Sequence, residues 1–307
     1  MNKILSVVIC LALIFCITFS AGAYPDDIPA ASDETLFAVN LSPEVSVNAK
    51  SFVLMDSNTG TLLAASNENM QLYPASVTKI MTLLLVCEAI NDGKLTFDEV
   101  LTCSDTAAAK GGSQIWLEPG EEMTVRELLK AAAVYSANDA CTLLGEAVAG
   151  SEEAFVKRMN QKAAELGLSE AVFYNCHGLP LYTDNLPATK IQNRMTASDM
   201  FKLIIYLLKT YPDITNITST QTADLESLNI TVNNTNSLLY NVPGVVGLKT
   251  GTTDMSGDCL VTAMEAENAE GETHRLIVIE FGAEDNTIRT TISEELVRYA
   301  LQRLRQE

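Results

Sequence analysis

The sequence predicts an α+β protein in which strands from both ends of the chain form one antiparallel sheet. A terminal helix is expected to pack on this sheet, and a helical lobe to be inserted between the two sets of strands. Three observations support the prediction: a β-hairpin pattern over residues 51–66, helical patterns over residues 75–211, and three strand patterns followed by a helix over residues 247–305.

The strand predictions rest on apolar runs bounded by turn residues. In SFVLMDSNTGTLLAAS, two apolar runs flank residues 56–60, whose Asp, Asn and Gly favour a tight turn. Near the C-terminus, GLKTGTT, CLVTAM and RLIVIEFGA have the β-branched and apolar content of strands, and EAENAEGETH joins the last two. The final helix is predicted over NTIRTTISEELVRYALQRLR.

The middle of the chain has the apolar spacing of helices. Residues 213–246 are instead polar and rich in Asn and Thr, which predicts loops and short strands. The helical segments are ASVTKIMTLLLVCEAIN, TVRELLKAAAVYSANDACTLLGEAVAG with a short break inside it, EEAFVKRMNQKAAELGL and TASDMFKLIIYLLKTY.

Composition excludes several classes of function. The 307 residues are 47% hydrophobic, enough for a substantial core, and 39 acidic against 20 basic residues give a net charge of −19. This charge argues against nucleic acid and anionic membrane surfaces as partners. His177 and His274 are the only histidines, and no Cys-x-x-Cys pair or Gly-rich nucleotide-binding motif occurs. We therefore expect no metal and no cofactor.

Residues 1–23 have the pattern of a secretory signal peptide. Lys3 precedes the uncharged stretch ILSVVICLALIFCITFSAGA, and Ala21 and Ala23 occupy the positions that a signal peptidase recognises. Cleavage after Ala23 would leave 19 basic and 39 acidic residues, a net charge of −20. The run is also long enough to span a bilayer, so an uncleaved anchor is the alternative. Residues 24–46, acidic and with three prolines, predict a tether before a folded domain over residues 47–307.

Ser76 and Lys79 lie at the start of the long apolar helix. Residues three apart share a helix face, so Lys79 can reach the Ser76 hydroxyl. A neutral lysine can then take the proton that makes serine a nucleophile, and the helix N-terminus favours developing negative charge. The alternative for this tetrapeptide alone is a helix-capping serine beside a solvated lysine.

Two further motifs are ambiguous when each is taken alone. Ser136 and Asn138 fall in the break between two helical runs, where both residue types are also common as ordinary turn and cap residues. Lys249, Thr250 and Gly251 lie on a predicted strand, where they could hold a carboxylate while the backbone approaches closely. The alternative is an edge strand protected by lysine.

In this order, the three motifs are the signature of penicillin-binding proteins and class A β-lactamases. Over residues 47–307 the sequence resembles the low-molecular-mass penicillin-binding proteins, which are D-alanyl-D-alanine carboxypeptidases. The resemblance implies a β-lactamase/DD-peptidase-like fold and makes residues 47–307 the catalytic domain. The segments that carry it are PASVTKIMT, YSANDA, FVKRMNQKAAELGL, NCHGLP, MTASDM and GLKTGTTDMSGDCL.

The resemblance implies a role for each residue of the first two motifs. Ser76 would be the acylated nucleophile and Lys79 its general base. Ser136 would relay a proton toward the leaving amine, and Asn138 would hydrogen-bond the substrate amide.

The third motif would bind the end of the substrate. Lys249 and Thr250 would hold the terminal carboxylate, and Lys249 would also help to keep Lys79 neutral. Gly251 belongs to the same substrate-binding strand, and the backbone N–H groups of Ser76 and Thr252 would form the oxyanion hole.

The sequence departs from the family pattern at two positions. Cys176 stands where relatives often have proline before His-Gly-Leu, and Thr252 stands where many have histidine, which could alter substrate preference. His177 is expected to be structural because Lys79 already supplies a base. The five cysteines after residue 23 are also expected to be structural, since their spacing gives no disulfide framework.

The expected activity is removal of the terminal D-alanine from peptidoglycan stem peptides, with β-lactams as inhibitors and the cell wall outside the cytoplasmic membrane as the location. Membrane contact is expected only through an uncleaved N-terminal segment, and no β-rich C-terminal domain is expected. Three alternatives stay open: a DD-endopeptidase, a β-lactamase, or a non-catalytic peptidoglycan-binding sensor. A β-lactamase is disfavoured because Glu226-Ser227-Leu228-Asn229 is one residue short of Glu-x-x-Leu-Asn.

Overall fold

The structure is a computed structural model that describes residues 47–182 and 190–305. The predicted signal peptide and tether, residues 1–46, lie outside the described residues. Its strands are Ser51–Asp56 (β1), Thr61–Ser66 (β2), Val100–Thr102 (β3), Glu122–Thr124 (β4), Leu181–Tyr182 (β5), Lys190–Ile191 (β6), Thr222–Leu225 (β7), Ile230–Asn233 (β8), Val245–Thr253 (β9), Gly257–Glu267 (β10) and Thr273–Ala283 (β11). Its α-helices are Lys79–Asn91 (α1), Asp105–Ala108 (α2), Val125–Lys130 (α3), Asn138–Ala149 (α4), Glu152–Glu165 (α5), Ala197–Thr210 (α6), Thr215–Thr218 (α7), Leu238–Asn241 (α8) and Asn286–Leu304 (α9).

Five of these strands form one antiparallel sheet in the order β2-β1-β11-β10-β9. Strand β1 pairs with β11, so that Ser51 lies opposite Phe281 and Asp56 opposite Leu276. The two ends of the described chain therefore close a single sheet, which confirms the predicted α+β architecture. Strand β9, which carries the Lys-Thr-Gly motif, is left at one edge.

The sheet separates two hydrophobic cores. Phe52 and Leu54 of β1 pack with Leu296 of α9, whereas Val53 between them belongs to the core of the helical lobe. This alternation follows from the period of two in a strand. Helix α9 begins at an Asp285 cap whose carboxylate accepts from the Ile288 N–H at 2.8 Å.

Helix α1 is the central element of the helical lobe. Every residue over 79–86 is buried, which is expected of a helix that is apolar on all sides and packed within a core. The long-helix prediction is confirmed with one difference, because its first turn, Ala75–Thr78, is a 3₁₀ helix. The predicted break in the next helical run lies at residues 136 and 137, and the run before it ends in a π-helix, Ala131–Tyr135.

Residues 213–246 contain the predicted short strands β7 and β8, together with α7, α8 and 3₁₀ turns. Helices of four residues are too short to repeat an apolar period, so the sequence pattern does not predict them. Within residues 47–182 and 190–305, none of the helices has both the length and the apolar character needed to cross a membrane.

Candidate active site

Ser76 lies in the 3₁₀ turn that leads into α1, and Lys79 is the first residue of that helix. Lys79 Nζ is 2.8 Å from Ser76 Oγ, and the Lys79 side chain is fully buried. The alternative of a solvated lysine is therefore wrong. Burial lowers the pKa of Lys79 to about 8, because desolvation disfavours the ammonium form. At pH 7 about one lysine in ten is then neutral and able to accept the Ser76 proton.

The loop before β5 fixes the start of α1. The Lys79 ammonium donates to the carbonyl of His177 at 2.9 Å, and the Thr82 hydroxyl donates to the carbonyl of Cys176 at 2.6 Å. Gly178 has φ +94°, and a Cβ there would lie 1.9 Å from the Ala75 carbonyl oxygen. Only glycine fits, so the loop backbone lies directly against the residue before Ser76.

The imidazole of His177 makes a different set of contacts. The ring is buried, its Nε2 lies 3.4 Å from Glu152 Oε1, and its Nδ1 accepts from the Leu179 N–H at 3.2 Å. Burial lowers the pKa of His177, with the Glu152 contact opposing it. His177 thus contributes its carbonyl to Lys79 and its ring to packing, in agreement with the structural role expected.

Ser136 follows the π-helix with φ 70°, in the left-handed region that side chains other than glycine rarely adopt. Asn138, two residues later, begins α4 and is buried. Its Nδ2 donates to the Gly111 carbonyl at 2.7 Å, and its backbone N–H donates to the Ser113 carbonyl at 2.7 Å. Its Oδ1 is buried with no hydrogen-bond partner among the described residues, and an unmet acceptor of this kind is costly.

The loop over residues 111–117 is tied to the residue after Asn138. The Asp139 carboxylate accepts from the N–H groups of Ile115 and Leu117, at 3.0 and 3.2 Å. Trp116 between them has φ 64°, and 75% of it is exposed although both neighbours are buried. The loop backbone is therefore held in place while the indole remains in solvent.

Strand β9 brings the third motif to the start of α1. A Cβ on Gly251 would lie 2.8 Å from the Ser76 nitrogen and 2.9 Å from the Val77 nitrogen, so glycine allows the two backbones to meet. Lys249 is buried and donates to the Thr250 carbonyl at 3.0 Å. The structure therefore places Thr250, Gly251 and the Ser76 backbone at one junction.

Both lysines of the site are buried, and burial affects the pKa of each. Burial lowers the pKa of Lys79. Burial and then the Lys79 ammonium lower the pKa of Lys249 well below its usual range. Burial and the like charge of a neighbouring ammonium thus both disfavour a doubly protonated pair of lysines.

Thr252 is the exposed residue at the end of this motif. It lies opposite Asp258 on β10, and its hydroxyl donates to the Asp258 carboxylate. Arg289 of α9 donates to the same carboxylate at 3.1 Å. The Thr252 side chain is thus oriented by a buried ion pair between the sheet and the terminal helix.

Thr235, which sequence analysis did not identify, links β9 to the helix that ends at Ser136. Its hydroxyl is 2.6 Å from that of Thr250, and its N–H donates to the Val134 carbonyl at 3.1 Å. The supporting carbonyls of Gly111 and His177 were missed as well. Every residue has a backbone carbonyl, so a sequence does not indicate which carbonyls support a site. Thr235 lies in a Thr-rich stretch, where nothing distinguishes it from the other threonines.

Comparison with known proteins identifies the family of this chain. The profile of a family described as D-alanyl-D-alanine carboxypeptidase matches residues 38–285. The chain is 43% identical to D-alanyl-D-alanine carboxypeptidase DacF of Bacillus subtilis over 243 residues, 78% of this chain and 59% of that protein. It is 35% identical to DacC of Escherichia coli over 273 residues, 86% of this chain and 64% of that protein. The chain thus spans less than two thirds of the length of these two relatives.

An endopeptidase is also among the relatives. The D-alanyl-D-alanine endopeptidase of Pseudomonas aeruginosa is 33% identical over 218 residues, 69% of this chain and 65% of that protein.

Two solved structures of penicillin-binding proteins share the fold. Penicillin binding protein 6B from Escherichia coli has a TM-score of 0.75 and 31% identity, covering 88% of this chain and 81% of that one. Penicillin-Binding Protein D2 from Listeria monocytogenes, in its ampicillin-bound form, has a TM-score of 0.73 and 29% identity, covering 84% and 99%. With the family profile matched over most of its length, the chain belongs to the D-alanyl-D-alanine carboxypeptidase family of serine peptidases.

Proposed function

We propose that this chain is a serine-type D-Ala-D-Ala carboxypeptidase that removes the terminal D-alanine from peptidoglycan stem peptides through an acyl-enzyme on Ser76. The observation that carries the proposal is the 2.8 Å contact between Lys79 Nζ and Ser76 Oγ, made by a fully buried lysine. A binding module has no need of a desolvated amine beside a serine, so this contact favours an enzyme over a non-catalytic sensor.

Acylation begins when neutral Lys79 takes the Ser76 proton as Oγ attacks the carbonyl of the penultimate D-alanine. The C–N bond to the terminal D-alanine then breaks, and Ser136 passes a proton to the leaving nitrogen. Asn138 accepts a substrate N–H at the Oδ1 that has no partner among the described residues. The products of this step are free D-alanine and a peptidyl ester on Ser76.

The third motif orients the substrate. Lys249 and Thr250 bind the terminal carboxylate, and the N–H groups of Ser76 and Thr252 form the oxyanion hole. The close approach of Gly251 to the Ser76 backbone supports this role. Thr252 adds an exposed hydroxyl that Asp258 holds in place. These contacts favour a substrate with a free carboxyl end.

Water then hydrolyses the ester. Glu226, from the segment that most nearly matches the β-lactamase motif, is exposed in the connection between β7 and β8. It therefore offers no support for a β-lactamase. An endopeptidase remains the second candidate because one relative carries that name.

We also propose export across the cytoplasmic membrane and action at the cell wall. The predicted signal peptide over residues 1–23 and the acidic composition support this location. The partners are peptidoglycan stem peptides and β-lactam inhibitors, and membrane contact is confined to the N-terminal segment if it is not cleaved.

The experiment supplies the mature protein with a peptide ending in D-Ala-D-Ala and measures free D-alanine. Release by the wild type and none by folded Ser76→Ala would support the proposal. A cross-linked dimeric peptide without a free D-Ala-D-Ala end separates the two candidates. Cleavage of that peptide alone would establish the endopeptidase instead.

A further inference from the structure

Glu152, the first residue of α5, has a carboxylate with three partners that lie close to the candidate site. Its Oε2 forms an ion pair with Lys110 Nζ at 2.5 Å, and its Oε1 lies 3.4 Å from His177 Nε2 and 3.5 Å from Cys176 Sγ. Only 17% of the side chain is exposed. A carboxylate that is mostly buried and has three partners fixes the segments that contact it.

One of these segments supports the nucleophile. The carbonyl of His177 accepts the Lys79 ammonium at 2.9 Å, and the Cys176 carbonyl accepts the Thr82 hydroxyl one turn further along α1. The same two residues present their side chains to Glu152. The position of the Lys79 acceptor therefore depends on how Glu152 holds this loop.

The other segment supports the second motif. Lys110 immediately precedes Gly111, whose carbonyl accepts Asn138 Nδ2 at 2.7 Å. The two segments also meet directly, since a Cβ on Gly112 would lie 2.9 Å from Asn138 Nδ2 and 3.1 Å from the Leu179 side chain. A single carboxylate thus holds both loops, one behind Lys79 and one behind Asn138.

We propose that Glu152 is a positioning residue for acylation: it sets the His177 carbonyl against Lys79 and the Gly111 carbonyl against Asn138. This rests on the proposed function, in which Lys79 and Asn138 act on the substrate. Burial alone would raise the pKa of Glu152, but hydrogen bonds to His177 and Lys110 lower it to about 2. The carboxylate therefore stays charged.

The test compares Glu152→Gln with Glu153→Gln. Both residues lie in the first turn of α5 and both form ion pairs, but the side chain of Glu153 is 82% exposed and pairs with Lys157 at the surface. The readout is the rate constant for acylation of Ser76 by a fluorescent penicillin, measured on folded protein. We expect a loss of about tenfold or more for Glu152→Gln and less than about twofold for Glu153→Gln.

Two more variants separate positioning from charge. Glu152→Asp keeps the charge and the fold but withdraws the carboxylate, and we expect it to acylate at a rate between those of Gln and wild type. In Lys110→Gln with Glu152→Gln, no ammonium is left unpaired. Recovery of the wild-type rate in this double variant would overturn the proposal, because the slow acylation of Glu152→Gln would then come from the unpaired ammonium of Lys110.

A crystal structure of Glu152→Gln gives a readout that needs no catalysis. We expect the His177 carbonyl to move out of hydrogen-bond reach of Lys79 Nζ. An unchanged contact there, or a variant that loses thermal stability with a wild-type acylation rate, would show that Glu152 only stabilises the fold. Failure of the wild type to release D-alanine would contradict the proposed function. The contact between the His177 carbonyl and Lys79 Nζ in the variant would still test the positioning role of Glu152.

Discussion

At the scale of single residues, the proposed mechanism requires Lys79 to lose and regain a proton in a buried site. Its side chain is fully buried, and its only uncharged neighbours in hydrogen-bond reach among the described residues are the Ser76 hydroxyl and the His177 carbonyl. Burial lowers its pKa to about 8. In the proposed mechanism, Lys79 can therefore serve as the base near neutral pH.

This pKa predicts the pH dependence of acylation. The acylation rate should follow the fraction of Lys79 that is neutral. It should rise by almost tenfold per pH unit up to about pH 7, begin to level near pH 8 and become constant at higher pH. Stopped-flow acylation by a chromogenic β-lactam between pH 6 and 10 measures the curve.

Lys79→Arg is the control for that curve. A guanidinium stays charged over the whole range, so acylation should fall by roughly 100-fold or more and lose its pH dependence. A wild-type profile that is flat from pH 6 to pH 8 would contradict the role of Lys79 as the base.

At the scale of elements, the approach of β9 to the start of α1 leaves no room for a side chain at Gly251. Gly251 has an ordinary backbone conformation, so an alanine there would not strain its own backbone. Its Cβ would instead collide with backbone atoms of the neighbouring segment: Pro74 O, Ser76 N and Val77 N, all within 2.9 Å. Backbone atoms cannot rotate aside. The strand would have to move away from Ser76.

Gly251→Ala should therefore slow acylation by about tenfold or more and lower the free energy of unfolding by about 1–3 kcal/mol. Acylation kinetics and urea unfolding measure the two effects. Gly145→Ala is the matched control, since its Cβ would press on the Phe155 ring at 3.0 Å, away from the candidate site. Equal losses of acylation in the two variants would refute the argument.

The interface between the sheet and α9 contains a buried acid. Glu280 of β11 accepts from the Ser293 hydroxyl at 2.8 Å, and its Oε1 is buried without a partner among the described residues. Burial raises its pKa to about 8, and the nearby charges are those of Arg289 and Asp258. The carboxyl is therefore protonated in the folded protein at neutral pH.

This predicts a loss of stability as the pH rises. Between pH 4.5 and about 8 the folded state keeps a proton that the unfolded state releases, so the free energy of unfolding falls through this window. Glu280→Gln cannot ionise, and its stability relative to wild type should grow by a few kcal/mol from pH 5 to pH 9. Urea unfolding at both values measures it, with exposed Glu267→Gln as the control. A difference that does not change with pH would show that Glu280 ionises normally.

The elements differ in how much of them was predictable. Strands β1, β2 and β9 to β11 and helices α1, α4, α5, α6 and α9 follow from apolar periodicity, which burial imposes on the sequence. Residues 131–135 are predicted only as part of a helical run, and their π-helical form is not predictable because its wider turn depends on tertiary contacts. Thr235 and the two supporting carbonyls depend on loops that meet only in the folded chain.

At the scale of the whole molecule, three motifs far apart in sequence meet where the sheet joins the helical lobe. The pairing of β1 with β11 brings both ends of the domain into one sheet, and β9 then reaches α1 through Gly251. In the proposed mechanism, a substrate analogue bound there contacts both parts of the molecule, and its release depends on chemistry at Ser76 as well as on binding.

Penicillin should therefore leave a persistent adduct. The opened ring keeps the leaving nitrogen tethered to the acyl group, where it obstructs water, and Glu226 is exposed in the β7–β8 connection. Intact-mass spectrometry should show one adduct per chain, absent in Ser76→Ala, that outlasts a normal turnover. Rapid formation of penicilloate without a detectable adduct would instead favour a β-lactamase.

Trp116 has a spectroscopic consequence. It is the only tryptophan in the sequence, it is 75% exposed, and the N–H groups on either side of it are bound to Asp139, next to Asn138. Indole fluorescence from the entire protein therefore arises from one side chain on the loop that supports Asn138. The emission wavelength and quenching by iodide therefore report on that loop alone, so a movement of the loop can be followed in the unlabelled protein.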